Sequence, residues 1–230
     1  MKSSLYTLFV VLSLALLLWM KPVVTDAHVA SRKESGAASM PKQCHVGKTA
    51  SEATGWRWSP RSVVRVYYLK GDFSKAERDS LSQAVNSWND ALQETDAHVR
   101  FVIGGERVSL VEENASITIL RGIPKGKDRV GQILLYSLSN GALYASVTIS
   151  PDIKAADALV SLMAHELGHS LGLADCYKCE RGTTTMAAFR SDNKGNDVYA
   201  PSECDKFTVA AGYSRDIGSQ SSAQASIERR

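Results

Sequence analysis

From Trp56 onward the apolar positions fall into patterns that separate strands from helices. In "RSVVRVYYL" (61–69) Val64, Val66 and Tyr68 share one face at the two-residue period of a strand, bounded by Pro60 and Gly71. In "SKAERDSLSQAVNSWNDALQET" the period changes: Leu81, Ala84, Val85, Trp88 and Leu92 mark one stripe of a helix, and Ser74 and Glu77 stand in capping-box relation at its start. Short strands follow at "HVRFVI" (98–103) and "SITIL" (116–120). "GQILLYSL" and "ALYASVTI" then read as a hairpin turning at Ser139-Asn140-Gly141, because Asn-Gly tolerates positive φ. A helix from about Asp152 or Ala155 to Leu171 comes next, with Gly172 suited to end it in a left-handed turn. "KCERGTTTMAAFRSDNKGNDVYA" reads as loop, and "PSECDKFTVAAGY" as a last helix from near Ser202. No internal repeat is evident. This order predicts an α+β domain over 56–213 with a mixed sheet, a long backing helix, a motif-bearing helix and a C-terminal helix.

The flanks differ in character. Lys2 precedes an apolar run from Leu5 to Met20, and Thr25-Asp26-Ala27 offers small residues for cleavage, so 1–27 reads as a secretory signal peptide cut after Ala27. A membrane anchor is the competing reading, but the run is shorter than the roughly 20 residues that span a bilayer. Residues 28–55, rich in Ser, Ala, Lys and Gly, read as a flexible lead-in or short propeptide, and 214–230 as a disordered tail. The expected location is therefore extracytoplasmic, with no stable membrane insertion once the leader is gone.

Charge narrows the partners. A net charge of +3 with scattered basic residues makes no case for nucleic acid, and the local cluster "RGIPKGKDR" (121–129) reads as a solvated loop. Cys44, Cys176, Cys179 and Cys204 are even in number, and in an oxidising compartment they are expected to form two disulfides, with three pairings open. Cys176-x-x-Cys179 lacks the second close pair of a structural zinc site and the surroundings of a thioredoxin-like motif. Asn114-Ala115-Ser116 matches an N-glycosylation acceptor.

The chemistry is concentrated in "HELGHSLGLADC". Residues four apart stack on one helix face, so His165 and His169 can aim ring nitrogens at one metal ion while Glu166 projects beside it. A catalytic zinc site needs a third protein ligand and leaves one position for water, and a carboxylate serves as well as imidazole. Asp175 stands where a chain reversal at Gly172 would bring it under the metal. No histidine follows His169, so a third imidazole would have to come from His28, His45 or His98, while Glu180, Asp192, Asp197, Glu203 and Asp205 are competing carboxylates. With His165, His169 and Asp175 as ligands and Glu166 as general base, the pattern predicts zinc-assisted hydrolysis of peptide bonds.

"HELGHSLGLAD" followed by "TTTMAAF" resembles the metzincin clan of zinc endopeptidases, with aspartate as third ligand similar to the snapalysin branch. The resemblance implies one catalytic zinc, protein or peptide substrates, and Met186 as the methionine of a turn beneath the metal. The element order from Trp56 to Gly172 resembles a matrixin-like domain, and the last helix its closing helix. In such domains the substrate lies along an edge strand, here "GQILLYSL" or its hairpin partner. Ala188 stands where some members carry a tyrosine, so a tyrosine at that position to aid the oxyanion is not expected. "MPKQCHVG" is faintly similar to a propeptide segment whose cysteine occupies the zinc, which sets a thiolate role for Cys44 against its place in a disulfide. A structural calcium is not readable, and a monomer is the expected state. Two other readings stay open: a non-catalytic secreted module that keeps the metal for structure, and a zinc protease of another clan with Glu180 or Glu203 as third ligand.

Overall fold

The computed structural model describes residues 40–95, 97–126, 129–187 and 198–214. The readings of residues 1–39, of Asp192, Asp197 and Ala188, and of the tail from 215 lie outside these. The architecture is α+β: β1 (Val63–Leu69), α1 (Lys75–Gln93), β2 (Arg100–Arg107), β3 (Ser116–Arg121), β4 (Gly131–Ser137), β5 (Leu143–Ile149), α2 (Ala156–Ser170) and α3 (Glu203–Ser214). The strands form one five-stranded sheet in the order β2-β1-β3-β5-β4. All neighbours are parallel except β4, which runs antiparallel to β5 at the edge.

The alternation in β1, β3 and β5 puts Val64, Val66, Tyr68, Ile117, Ile119, Ala145, Val147 and Ile149 into one core with the apolar stripes of α1 and α2. Each large side chain fully buried there contributes about 1.5–3 kcal/mol. Helix α1 begins at the expected capping box, with the Ser74 hydroxyl accepting from the Glu77 N–H at 3.3 Å and the Ser74 N–H donating to the Glu77 carboxylate at 2.8 Å. Its buried residues are Leu81, Ala84, Val85, Trp88, Ala91 and Leu92. Trp88 crosses to α2, where its indole N–H donates to the Ala164 carbonyl at 2.7 Å.

Three elements differ from the sequence reading. Strand β2 starts later and runs further, to Arg107, because a bulge opposite Val66 and Tyr67 lets the chain continue past the Gly104-Gly105 pair that marked its end by pattern. The β4–β5 turn places only Gly141 at positive φ, with the Gly141 N–H donating to the Leu138 carbonyl at 2.9 Å, so the connection is a type I turn with a glycine bulge. Arg121 is not part of a solvated basic loop. Its guanidinium donates to the carbonyls of Ser150 and Ile153 and pairs with Glu77 at 2.6 Å, tying β3 to the start of α1 and to the turn before α2.

The stretch from Cys44 to Thr54 is packed, in contrast to the loose lead-in its composition suggests. Ala50 and Ser51 are buried, Cys44 is bonded to Cys204, and Thr54 N–H and Glu52 C=O pair with Gly172 and Ala174. Small side chains are what that close backbone approach requires, and their low hydropathy hid it from the pattern. The second disulfide joins Cys176 to Cys179. With both bridges formed, the Cys44 sulfur is not available as a metal ligand. Among the described residues no helix is long and apolar enough to cross a membrane.

Candidate metal and catalytic site

Helix α2 carries His165 and His169 one turn apart, and its ending decides where the chain goes next. Gly172 adopts φ +91°, the Gly172 N–H donates to the His169 carbonyl at 3.0 Å and the Leu173 N–H to the Gly168 carbonyl at 3.1 Å. These are the two bonds of a Schellman motif, which only a residue free to enter the left-handed region completes at low cost. A side chain on Gly172 would also collide with the Trp56 carbonyl. The reversal carries Leu173 and Ala174 past the N-terminal segment, where Thr54 N–H donates to Gly172 C=O and Ala174 N–H to Glu52 C=O. Asp175 thereby returns beneath the helix.

The Asp175 Oδ1 lies 3.1 Å from the His165 Nε2 and 3.4 Å from the His169 Nε2, and the two Nε2 atoms are 3.2 Å apart. Each imidazole presents its Nδ1 to a backbone carbonyl at 2.8 Å, His165 to Thr185 and His169 to Leu173. Donation of Nδ1–H to those carbonyls places the lone pair on Nε2, facing the other ring and Asp175. These three residues are the only group of metal-ligating side chains brought together among the described residues. Zinc bonds of 2.0–2.1 Å in a tetrahedron imply ligand atoms about 3.3–3.4 Å apart, so the donor set and its spacing fit that ion.

Electrostatics reinforces the cluster. Burial works to raise the Asp175 carboxyl, but hydrogen bonds and charge from His165 and His169 override it and hold the group well below the usual carboxylate range. Burial alone would lower His169, yet the hydrogen bond to Asp175 and the charge of Glu166 leave it raised. Glu166, only 3% exposed, is raised by burial, which outweighs the lowering by the two histidines. Its carboxylate lies in the angle between α2 and the first residue of β4. A Cβ on Gly131 would sit 2.7 Å from Glu166 Oε1 and 2.6 Å from Leu162 Cδ1, so the bare glycine makes the room.

Met186 is fully buried under the same helix, its thioether occupying the space a side chain on Gly168 would need. Its carbonyl accepts from the Cys176 N–H at 2.8 Å, which ties this turn to the residue after Asp175.

The competing carboxylates lie elsewhere. Glu203 pairs with Lys206 at 2.8 Å, Glu180 sits on an exposed turn, and Asp205 is buried among donors from Thr184, Thr185 and Ser202. Neither His45 nor His98 joins the cluster. Two features escaped the sequence reading. The Tyr177 hydroxyl donates to Asp175 Oδ2 at 2.9 Å, leaving Oδ1 toward the imidazoles, and nothing in the pattern of an exposed Cys-Tyr-Lys-Cys turn announced it. The sequence marks Asp205 only as a competing carboxylate, although Ser202-x-x-Asp205 has the spacing of a helix cap.

No family model matches the chain, and no curated protein matches it. Solved structures do. Myroilysin aligns over 70% of this chain and 83% of its own at 14% identity, with a TM-score of 0.42. Archaemetzincin from Methanopyrus kandleri aligns over 66% and 97% at 15% identity and a TM-score of 0.41. Metalloproteinase-II from Bacteroides fragilis aligns over 71% of this chain and 58% of its own at 13% identity and a TM-score of 0.43.

Proposed function

We propose that this protein is a zinc-dependent endopeptidase of metzincin type, acting outside the cytoplasm on protein or peptide substrates. The observation that carries the reading is the convergence of His165 Nε2, His169 Nε2 and Asp175 Oδ1 at mutual distances of 3.1–3.4 Å. His165, His169 and Asp175 would hold the ion, and Met186 would form the floor beneath them. Zinc in such a site supplies Lewis-acid polarisation of a carbonyl and lowers the pKa of a water to about 7.

The chain's own residues supply the rest. The carbonyls of Thr185 and Leu173 fix the tautomer and plane of each imidazole. Tyr177 holds the outer oxygen of Asp175 so that the inner one stays in place. Glu166 takes the proton from the attacking water and returns it to the leaving amine, and its raised pKa suits a group that must both accept and donate. The edge strand β4 starts at Gly131 beside Glu166, and among the described residues no strand pairs with its outer edge, along which an extended peptide can add. Two disulfides support an oxidising compartment and hence secretion.

The test is cleavage of an unstructured protein substrate. Activity should vanish with a chelator, return with zinc, and fall by about a hundredfold to ten-thousandfold in Glu166→Gln with zinc still bound. Tight zinc binding with no cleavage in the wild-type protein would instead identify a module that keeps the metal for structure.

A further inference from the structure

We infer that Asp205 is a positioning residue for His165, acting through the backbone of the Thr184-Thr185-Met186 turn. The inference rests on the zinc-site reading above and adds to it a residue from the far end of the fold. Asp205 lies in the first turn of α3 and is 0% exposed. Its Oδ2 accepts from Ser202 N–H at 2.9 Å, Ser202 hydroxyl at 2.9 Å, Thr185 N–H at 3.0 Å and Thr185 hydroxyl at 3.1 Å. Its Oδ1 accepts from the Thr184 hydroxyl. The Ser202 hydroxyl in turn accepts from Asp205 N–H at 3.1 Å, which closes a capping box at the start of α3. That box alone would explain an acidic residue here. It does not explain why the remaining donors come from a turn distant in sequence.

The path to the metal cluster runs through one peptide plane. The Thr184 hydroxyl, while donating to Asp205, accepts from the Met186 N–H at 3.1 Å. The Met186 N–H and the Thr185 C=O belong to the same planar, trans unit, so holding one sets the direction of the other. That carbonyl is the partner of His165 Nδ1 at 2.8 Å. Asp205 further grips the Thr185 N–H and hydroxyl on the N-terminal flank of the plane, and rotation of the plane would break the Met186 N–H bond to a hydroxyl that Asp205 itself holds. Loss of Asp205 frees the plane, and with it the orientation and tautomer of His165. A residue that only capped α3 would affect stability and leave the ring untouched.

The experiment uses the full-length protein with Asp205→Asn, Thr184→Val and Thr184→Ser. Zinc affinity is measured by competition with a chromogenic chelator, and the tautomer of His165 by nitrogen NMR of the metal-free protein. Asp205→Asn and Thr184→Val should weaken zinc binding by about 10–100-fold, the usual effect of removing an outer partner of a metal-ligating histidine. Both should also shift the His165 ring signals, while Thr184→Ser, which keeps the hydroxyl, restores wild-type behaviour. Wild-type zinc affinity and ring signals in a folded Asp205→Asn or Thr184→Val protein would overturn the inference. Should Asp205→Asn fail to fold, the Thr184 pair decides the matter by itself. A wild-type protein that binds no zinc would instead sink the zinc reading, and the ring signals would still decide whether Asp205 sets His165.

Discussion

The backbone carbonyl of Leu173 accepts a hydrogen bond from Nδ1 of His169 at 2.8 Å, so the residue that follows the helix stop orients a ring on the helix it stops. Gly172 is the pivot of that arrangement. Gly172→Ala places a Cβ at φ +91°, costing about 1–2 kcal/mol in backbone strain. The collision with the Trp56 carbonyl, which is backbone and cannot turn aside, adds to it. The expected result is a marked loss of stability in denaturant unfolding together with weaker zinc binding in the fraction that folds.

Gly131→Ala should behave differently. The atoms in its way, Glu166 Oε1 at 2.7 Å and Leu162 Cδ1 at 2.6 Å, are side-chain ends that can move. Stability and zinc affinity are expected to stay near wild type while kcat/KM falls by about tenfold to a hundredfold, the effect of misplacing a reacting group by a fraction of an ångström to an ångström. Steady-state kinetics beside a zinc titration separates the two effects.

The metal-free and zinc-loaded proteins should respond to pH in opposite directions. Glu166, through burial, and His169, through Asp175 and Glu166 against the effect of burial, bind protons more tightly folded than their ordinary values of 4.5 and 6.5 would allow. Their contribution to the metal-free fold is complete below those values and is lost as pH rises through the folded ones. Asp175 is shifted down, so its contribution is present above 3.8 and is lost only as pH falls below that value. As pH rises past 4.5 for Glu166 and past 6.5 for His169, the metal-free protein therefore loses the stability these groups supply. Zinc requires deprotonated imidazoles, and its stabilisation grows over the same range. Thermal melts with chelator and with excess zinc should slope oppositely.

The two disulfides should differ in weight. Cys44–Cys204 closes a separation of 160 residues, and Cys176–Cys179 one of 3. Chain-entropy reasoning assigns the long closure a loss of about 2–5 kcal/mol on Cys44→Ser with Cys204→Ser, and the short one considerably less. Equilibrium unfolding of the two double variants is the check.

Much of the candidate site's geometry was legible because it follows helix periodicity. His165, Glu166 and His169 needed only a spacing of four and a helix to carry it, and Gly172 announced both the stop and the return of Asp175. The capping box of α1 and the core stripe from Leu81 to Leu92 were likewise local. What escaped depends on distance in sequence or on contacts that no residue pattern marks. The continuation of β2 through Gly104-Gly105 is set by a bulge against β1, a partner that strand propensity does not see. The carbonyls of Leu173 and Thr185 are backbone atoms, carried by every residue and therefore without a signature. Asp205 could be recognised as an acid near a helix start, but its grip on Thr184 and Thr185 exists only once the chain has folded back.

The Cys44–Cys204 bridge also has a bearing on when the protein can become complete. One end precedes the first strand, and the other is adjacent to the carboxylate that holds the turn behind His165. A nascent chain can gather its sheet and the motif helix during synthesis, yet the histidine support and the covalent clasp both wait for residues 204 and 205 to emerge. The timing of translation thus withholds a finished centre until the domain that must contain it has been made.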